Sequence, residues 1–276
     1  MTTKLRITLR YIVLFLVLII TLFPFVWMVL ATFKPPGEIL TYPPKWLPVN
    51  WDFSNYQKMF FSDSVPILTF FKNSMFLAVL GTAGQLFFSS LAAFSFARLN
   101  FPGKNIIFLG LIGTMMIPFA VTFIPNFIIM TKIGWYNTYL PLIIPCWLNG
   151  VYGIFLLRQF MKTLPISTEE SARIDGCSNF KIFLFINLPL TRTALAALAV
   201  NTFMGVWNDY LGPLIYLNDM SRYTLPIGLQ YFQGLYKTDV GLLMTGATIS
   251  IVPVIILFVV AQDYFVEGIA LSGTKE

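Results

Sequence analysis

The polar stretch Ser167-Thr-Glu-Glu-Ser-Ala-Arg-Ile-Asp-Gly176 carries residues whose spacing builds helix ends. Ser167 with Glu170 three residues later predicts a capping box, in which each side chain satisfies a free backbone N–H at the helix start. Glu169 and Glu170 in the first turn also suit the positive end of the helix dipole. Gly176 predicts a left-handed stop. Ser178 then caps a second helix through Phe180, Ile182, Phe183 and Ile186, ending at Leu188-Pro189. Catalytic chemistry has few candidates. The chain has no histidine, which removes imidazole general acid/base catalysis, Ser-His-Asp triads and histidine metal sites. Its two cysteines, Cys146 and Cys177, are too few for a disulfide framework or a cysteine-rich metal site. No phosphate-binding loop occurs, since Gly103-Lys104 lacks both the upstream glycine and the following hydroxyl.

The elements that must hold this hairpin are apolar. Of 276 residues, 57% are hydrophobic and only 11% charged, with 28 Phe, 12 Tyr and 6 Trp. A soluble domain carries about 25% charge and needs a polar exterior, so the soluble classes are excluded. The net charge of +6 then reads as basic loops at a membrane surface and not as a nucleic-acid footprint.

Charged residues divide the chain into uncharged runs at 11–33, 73–97, 105–131 and 133–157, a run at 193–217 broken only by Asp209, and a last one at 240–262. Each exceeds the roughly 20 residues that cross hydrocarbon as a helix. The prediction is an all-α polytopic membrane protein, a single transmembrane domain over 1–276 with six transmembrane helices. The first run is far longer than a signal-peptide core and has no small-x-small site near Lys34, so it reads as an uncleaved anchor. Eleven basic residues, including Arg6, Arg10, Arg98, Lys104, Arg158, Lys162 and Arg192, fall on the side of both termini, against seven on the other. That asymmetry predicts cytoplasmic termini and a cytoplasmic hairpin over about 167–188. Asp209 is expected near the opposite face, because an ionisable residue in mid-bilayer is costly.

Glu170-Ser171-Ala172, three residues, Gly176, nine residues, then Ile186-x-Leu188-Pro189 resembles the E-A-A-x3-G-x9-I-x-L-P signature of binding-protein-dependent ABC-importer permeases. Ser171 is its one departure, a small residue for a small one. The resemblance extends to the maltose-type, MalG-like sugar permeases through Trp207-Asn-Asp-Tyr-Leu-Gly-Pro-Leu214, Tyr223-Thr-Leu-Pro-Ile-Gly-Leu229 and Phe96-Ala-Arg98 with Phe101-Pro-Gly-Lys104; the tail Glu267–Lys275 departs from it. It implies the MetI-like permease fold, a bacterial or archaeal cytoplasmic membrane, and a coupling helix seated in a separate ATPase. Glu170, Arg173 and Asp175 would make the polar contacts there, Ser171 and Ala172 would allow close approach, and Gly176, Leu188 and Pro189 would set the hairpin. It further implies a second, MalF-like permease, two ATPase subunits, an extracytoplasmic solute-binding protein and surrounding lipid as partners, with no nucleic acid. This chain would bind no cofactor and no metal, ATP-Mg belonging to the ATPase.

A sugar path needs aromatic faces for pyranose rings and amides or carboxylates for hydroxyls. Trp147, Asn149 and Tyr152 in the fourth run, and Asn201, Asn208 and Asp209 in the fifth, are the candidates. Helix–helix packing and interfacial aromatic belts use the same residue types. Other classes fit less well. A membrane enzyme would show clustered acids or histidines at the membrane face. An ion-coupled transporter would place charges in mid-bilayer and show internal repeats. Glycerol phosphates, polyols or polyamines remain alternative cargoes.

Overall fold

The structure, a computed structural model, describes residues 3–62, 65–234 and 238–273. Lys4, Lys237, Lys275 and the tail from 267 onward, which entered the sequence argument, lie outside the residues whose side chains are described. The described residues are helical almost throughout; the β pairing among them is an isolated bridge between Gln233 and Thr238. Fifteen helices run in order as α1 (Thr3–Thr32), α2 (Pro36–Ile39), α3 (Ser54–Phe61), α4 (Ile67–Arg98), α5 (Lys104–Thr114), α6 (Phe119–Lys132), α7 (Leu140–Leu148), α8 (Val151–Thr163), α9 (Ser167–Ile174), α10 (Asn179–Ile182), α11 (Leu188–Leu190), α12 (Arg192–Trp207), α13 (Leu211–Tyr216), α14 (Leu225–Gln230) and α15 (Val240–Gly273).

Among the described residues, four stretches are long and apolar enough to cross a bilayer: Leu5–Thr32, Ile67–Arg98, Leu140–Thr163 and Val240–Tyr264. The number is six if two bent pairs each count as one span. The uncharged run 105–131 is therefore not one straight helix. It bends by 97° between α5 and α6. Pro118 is the physical reason: it has no N–H to donate and forces the residue before it out of the helical region, so a new helix starts behind it. The run 133–157 is helical only from Leu140, because Gly134 and Asn137 both adopt positive φ in the turns before it. The run 193–217 ends its helix at Trp207; Asn208-Asp209-Tyr210 interrupts it before α13. Counting charges finds apolar length but is blind to these breaks.

The chain forms two compact units, Met1–Leu68 with Ile227–Val252, and Thr69–Pro226 with Pro253–Glu276. In the first, polar side chains fasten the end of α1. Asn55 is buried and donates to the carbonyls of Thr32 (2.9 Å) and Lys34 (3.1 Å), two acceptors at the helix terminus. Lys34, also buried, donates to the Lys45 carbonyl and lies 5.9 Å from the Trp27 ring centre. In the second, Ala93 and Phe94 of α4, Leu157 and Met161 of α8, and Ala194 and Leu198 of α12 form a core that also takes in Ile182 and Phe183. The hairpin is thus built into the core by its second limb.

Candidate functional site

Backbone geometry fixes the hairpin. Its start differs from the predicted capping box: Ser167 is already the first helical residue, and the carbonyl of Ile166 accepts from the N–H groups of Glu169 (2.9 Å) and Glu170 (3.0 Å). The Ser167 side chain caps nothing, and Ser171 donates back to the Ser167 carbonyl at 3.0 Å. The other end follows expectation. Gly176 has φ +81°, the Cys177 N–H donates to the Ala172 carbonyl (2.9 Å) and the Gly176 N–H to that of Arg173 (3.0 Å). This paired closure satisfies carbonyls that a helix end leaves free. Ser178 accepts from the Lys181 N–H at 3.4 Å and caps the next helix as its position predicts. That helix widens to a π-turn at Phe183–Asn187 before α11. Pro189 lies one turn on. With no N–H and a ring that crowds the carbonyl four residues back, it makes the wider turn the available solution.

The faces of α9 separate cleanly. Glu170, Ser171, Arg173, Ile174, Asp175 and Gly176 are exposed, Ile174 by 87%. Ala172 is half-buried against the core, and Leu188 behind it is half-buried while Pro189 is exposed.

Glu169, which the sequence marked only as a dipole partner, points inward. Its Oε1 lies 2.5 Å from Arg98 Nε, and Asn187 Nδ2 donates to the same oxygen at 3.0 Å. Arg98 and Asn187 were absent from the predicted site, since only the fold brings α4 and the π-turn to α9. The single available signal was two adjacent acids on a helix with one inward face.

The path candidates divide. Asn149 and Asp209 line one cavity of about 610 Å³, together with Asn126 and Trp135, which sequence reasoning did not single out. Asn149 stands at the break between α7 and α8, Asp209 at the break after α12. Both breaks set polar side chains beside irregular backbone, a combination that membrane proteins keep for cavities. Asp209 accepts from the Gly212 N–H at 3.1 Å. The cavity does not include Trp147, Tyr152, Asn201 or Asn208. Trp147 faces α4; Tyr152 and Asn201 are exposed; Asn208 donates to the Met204 carbonyl at 2.9 Å.

Beyond α13, the Asn137 carboxamide oxygen accepts from the N–H groups of Asn218 (3.0 Å) and Asp219 (3.2 Å). Asp219 in turn accepts from the Ser221 N–H at 2.9 Å, a bond that holds its carboxyl below the usual carboxylate value.

Apolar helices of bilayer length, broken beside a polar cavity and joined by one short, closed hairpin, are the parts of a membrane permease. Residues 85–270 match the family described as binding-protein-dependent transport system inner membrane component, and the chain belongs to that family. It is 34% identical over 93% of its length to the arabinooligosaccharides transport system permease protein AraQ of Halalkalibacterium halodurans, covering 92% of that protein. It is 30% identical over 94% of its length to the trehalose/maltose transport system permease protein MalG of Thermococcus litoralis, covering 94% of that protein. In fold it matches a chain of a bacterial ABC transporter involved in import of the acidic polysaccharide alginate, with a TM-score of 0.82 at 22% identity, over 96% of this chain and 99% of that one. The all-helical permease fold and the importer-permease resemblance therefore stand.

Proposed function

We propose that this chain moves a sugar or oligosaccharide inward across the cytoplasmic membrane as one of two permease subunits. Two separate ATPase subunits hydrolyse ATP-Mg, and an extracytoplasmic binding protein delivers the cargo. The observation that carries the coupling role is the exposed row Glu170, Arg173, Ile174 and Asp175 on a short helix closed at Gly176 and backed by buried side chains. A helix held this way transmits displacement, whereas a loop would absorb it. With Ser171 and Ala172 allowing close approach and Leu188 and Pro189 closing the second limb, the row is the seat for the ATPase, and both termini lie on its side of the membrane. The sugar class rests on the AraQ and MalG relatives. It also suits a cavity whose walls combine Asn126, Asn149 and Asp209 with Trp135.

The test is purification of the tagged chain from its native membrane, followed by mass measurement and uptake of labelled sugars in proteoliposomes. The expected assembly is this chain, one related permease and two ATPases, with uptake that requires the binding protein. A transport-active homomer, or uptake driven by an ion gradient without ATP, would overturn the proposal.

A further inference from the structure

Arg98 is the last residue of α4 and Glu169 lies in the first turn of α9, yet their side chains are only 5% and 3% exposed. Each charge sits at the end of its own helix that favours it, the cation at a C-terminus and the anion at an N-terminus. Nε and Oε1 are 2.5 Å apart. Arg98 also donates from Nη2 to the Leu164 carbonyl at 3.0 Å, at the end of α8. Asn187 is fully buried and adds its amide to Glu169 at 3.0 Å, bringing in the π-turn. One guanidinium and one carboxylate thus join four elements: α4, α8, α9 and the π-turn. The end of α4 is braced again from α8, where Arg158 Nε donates to the Phe96 carbonyl at 3.2 Å.

A buried ion pair is weak evidence for stability, because a well-packed apolar pair of similar volume often does as well. What an apolar pair lacks is direction. Ile182 and Phe183 against Phe94 and Leu157 can slide on smooth side chains, whereas a buried guanidinium that pairs with the Glu169 carboxylate and donates through Nη2 to the Leu164 carbonyl fixes the distance between helix ends.

We propose that Arg98, Glu169 and Asn187 form an internal strut that converts displacement of α9 into movement of α4. Arg98 and Glu169 are positioning residues: they lie behind the exposed row and act through it. Resting on the importer function proposed above, the strut supplies the link from the ATPase seat to a membrane-spanning helix. It also explains why the hairpin start needs no side-chain cap, since Glu169 is anchored from the core side instead.

The experiment compares R98M/E169L, E169Q and the unaltered chain, each as the complete complex in lipid nanodiscs. Two readouts are taken at equal abundance. The first is hydrogen exchange of the 170–175 backbone amides without nucleotide, which reports anchoring of α9 whether or not an ATPase is present. The second is cargo transported per ATP hydrolysed, with basal hydrolysis as internal reference. R98M/E169L keeps the volume and loses the direction, and is expected to raise exchange about tenfold and lower cargo per ATP by about tenfold, the size of a broken pairwise coupling. E169Q keeps the acceptor oxygen without its charge and is expected to fall between, within about threefold of the unaltered chain, as a neutral hydrogen bond is weaker than a charged one. Unchanged exchange and unchanged cargo per ATP in R98M/E169L would overturn the strut. If the double variant fails to accumulate, E169Q decides by the same two readouts, and behaviour identical to the unaltered chain overturns it. Absence of any ATPase from the unaltered complex would defeat the importer function instead, while the exchange readout would still decide whether the strut holds α9.

Discussion

The indole Nε1 of Trp147 donates to the Leu80 carbonyl at 2.9 Å, and its ring occupies the space where a side chain at Gly84 would stand. An aromatic residue that composition alone offers to a sugar ring is here spent on helix packing between α7 and α4. W147F should therefore lose one half-buried hydrogen bond, about 1 kcal/mol, with the cargo KM unchanged. G84V should cost more, about 1–3 kcal/mol, because the ring must move. Thermal unfolding of the complex in detergent checks both. A raised KM in W147F with no loss of stability would contradict the assignment.

Asn149 and Asn126 line the 610 Å³ cavity, and Asn201 does not. N149A and N126A should each raise the KM for cargo about fivefold, the loss of one neutral hydrogen bond, with little change in unfolding temperature. N201A is the control and should leave KM alone. Binding-protein-dependent uptake in proteoliposomes separates them, and equal effects at all three positions would remove the cavity from the path.

The hairpin was legible because its signals are local. Gly176 stops a helix and Ser178 starts one, and neither depends on distant contacts. Apolar length was legible too, since charge is costly in hydrocarbon. The bend at Pro118 and the helix break after Trp207 were available in the residues but not in a count of charges. Glu169 could not have been separated from Glu170 without the fold. Which acid faces the core depends on where Arg98, 71 positions earlier in the chain, is delivered by α4. The split of Asn149 and Asp209 from Asn201 and Asn208 is likewise tertiary, set by where the helix breaks fall around one cavity.

Asp219 provides a pH test in the turn 218–222. Its folded carboxyl titrates below the ordinary value because the Ser221 N–H, and then the Ser221 hydroxyl, bond the charged form. Stability from these bonds is complete above the ordinary carboxylate pKa, about pH 4, and is lost as the pH falls through the lower folded value. Backbone exchange at 219–222, corrected for its intrinsic pH dependence, should rise on acidification in the unaltered chain. D219N keeps an acceptor but cannot titrate, so the rise should vanish. Its persistence would place the acid response elsewhere.

Gly176 and Glu170 lie in the same hairpin but should fail differently. At φ +81° a β-branched side chain is strained by about 1–2 kcal/mol, and no neighbouring atom stands near enough to add a clash. G176V should therefore insert and accumulate, because the strain is small beside the core packing of Ile182 and Phe183, while its turn reopens. That change alters the angle of the whole exposed row. Glu170 is exposed and caps no N–H, so E170K leaves the hairpin geometry intact. It only places a positive charge at the positive helix end, a cost of about 0.3–1 kcal/mol, and reverses the charge of the contact proposed above for Glu170 with the ATPase. Both variants should bind the cargo-loaded binding protein normally and lose uptake. The salt dependence tells them apart: ATPase retention in E170K should depend on salt more steeply than in G176V, whose defect is steric and should be insensitive to it. Pull-down of the ATPase across a salt series measures this directly. Full uptake in both variants would leave the hairpin without a coupling role.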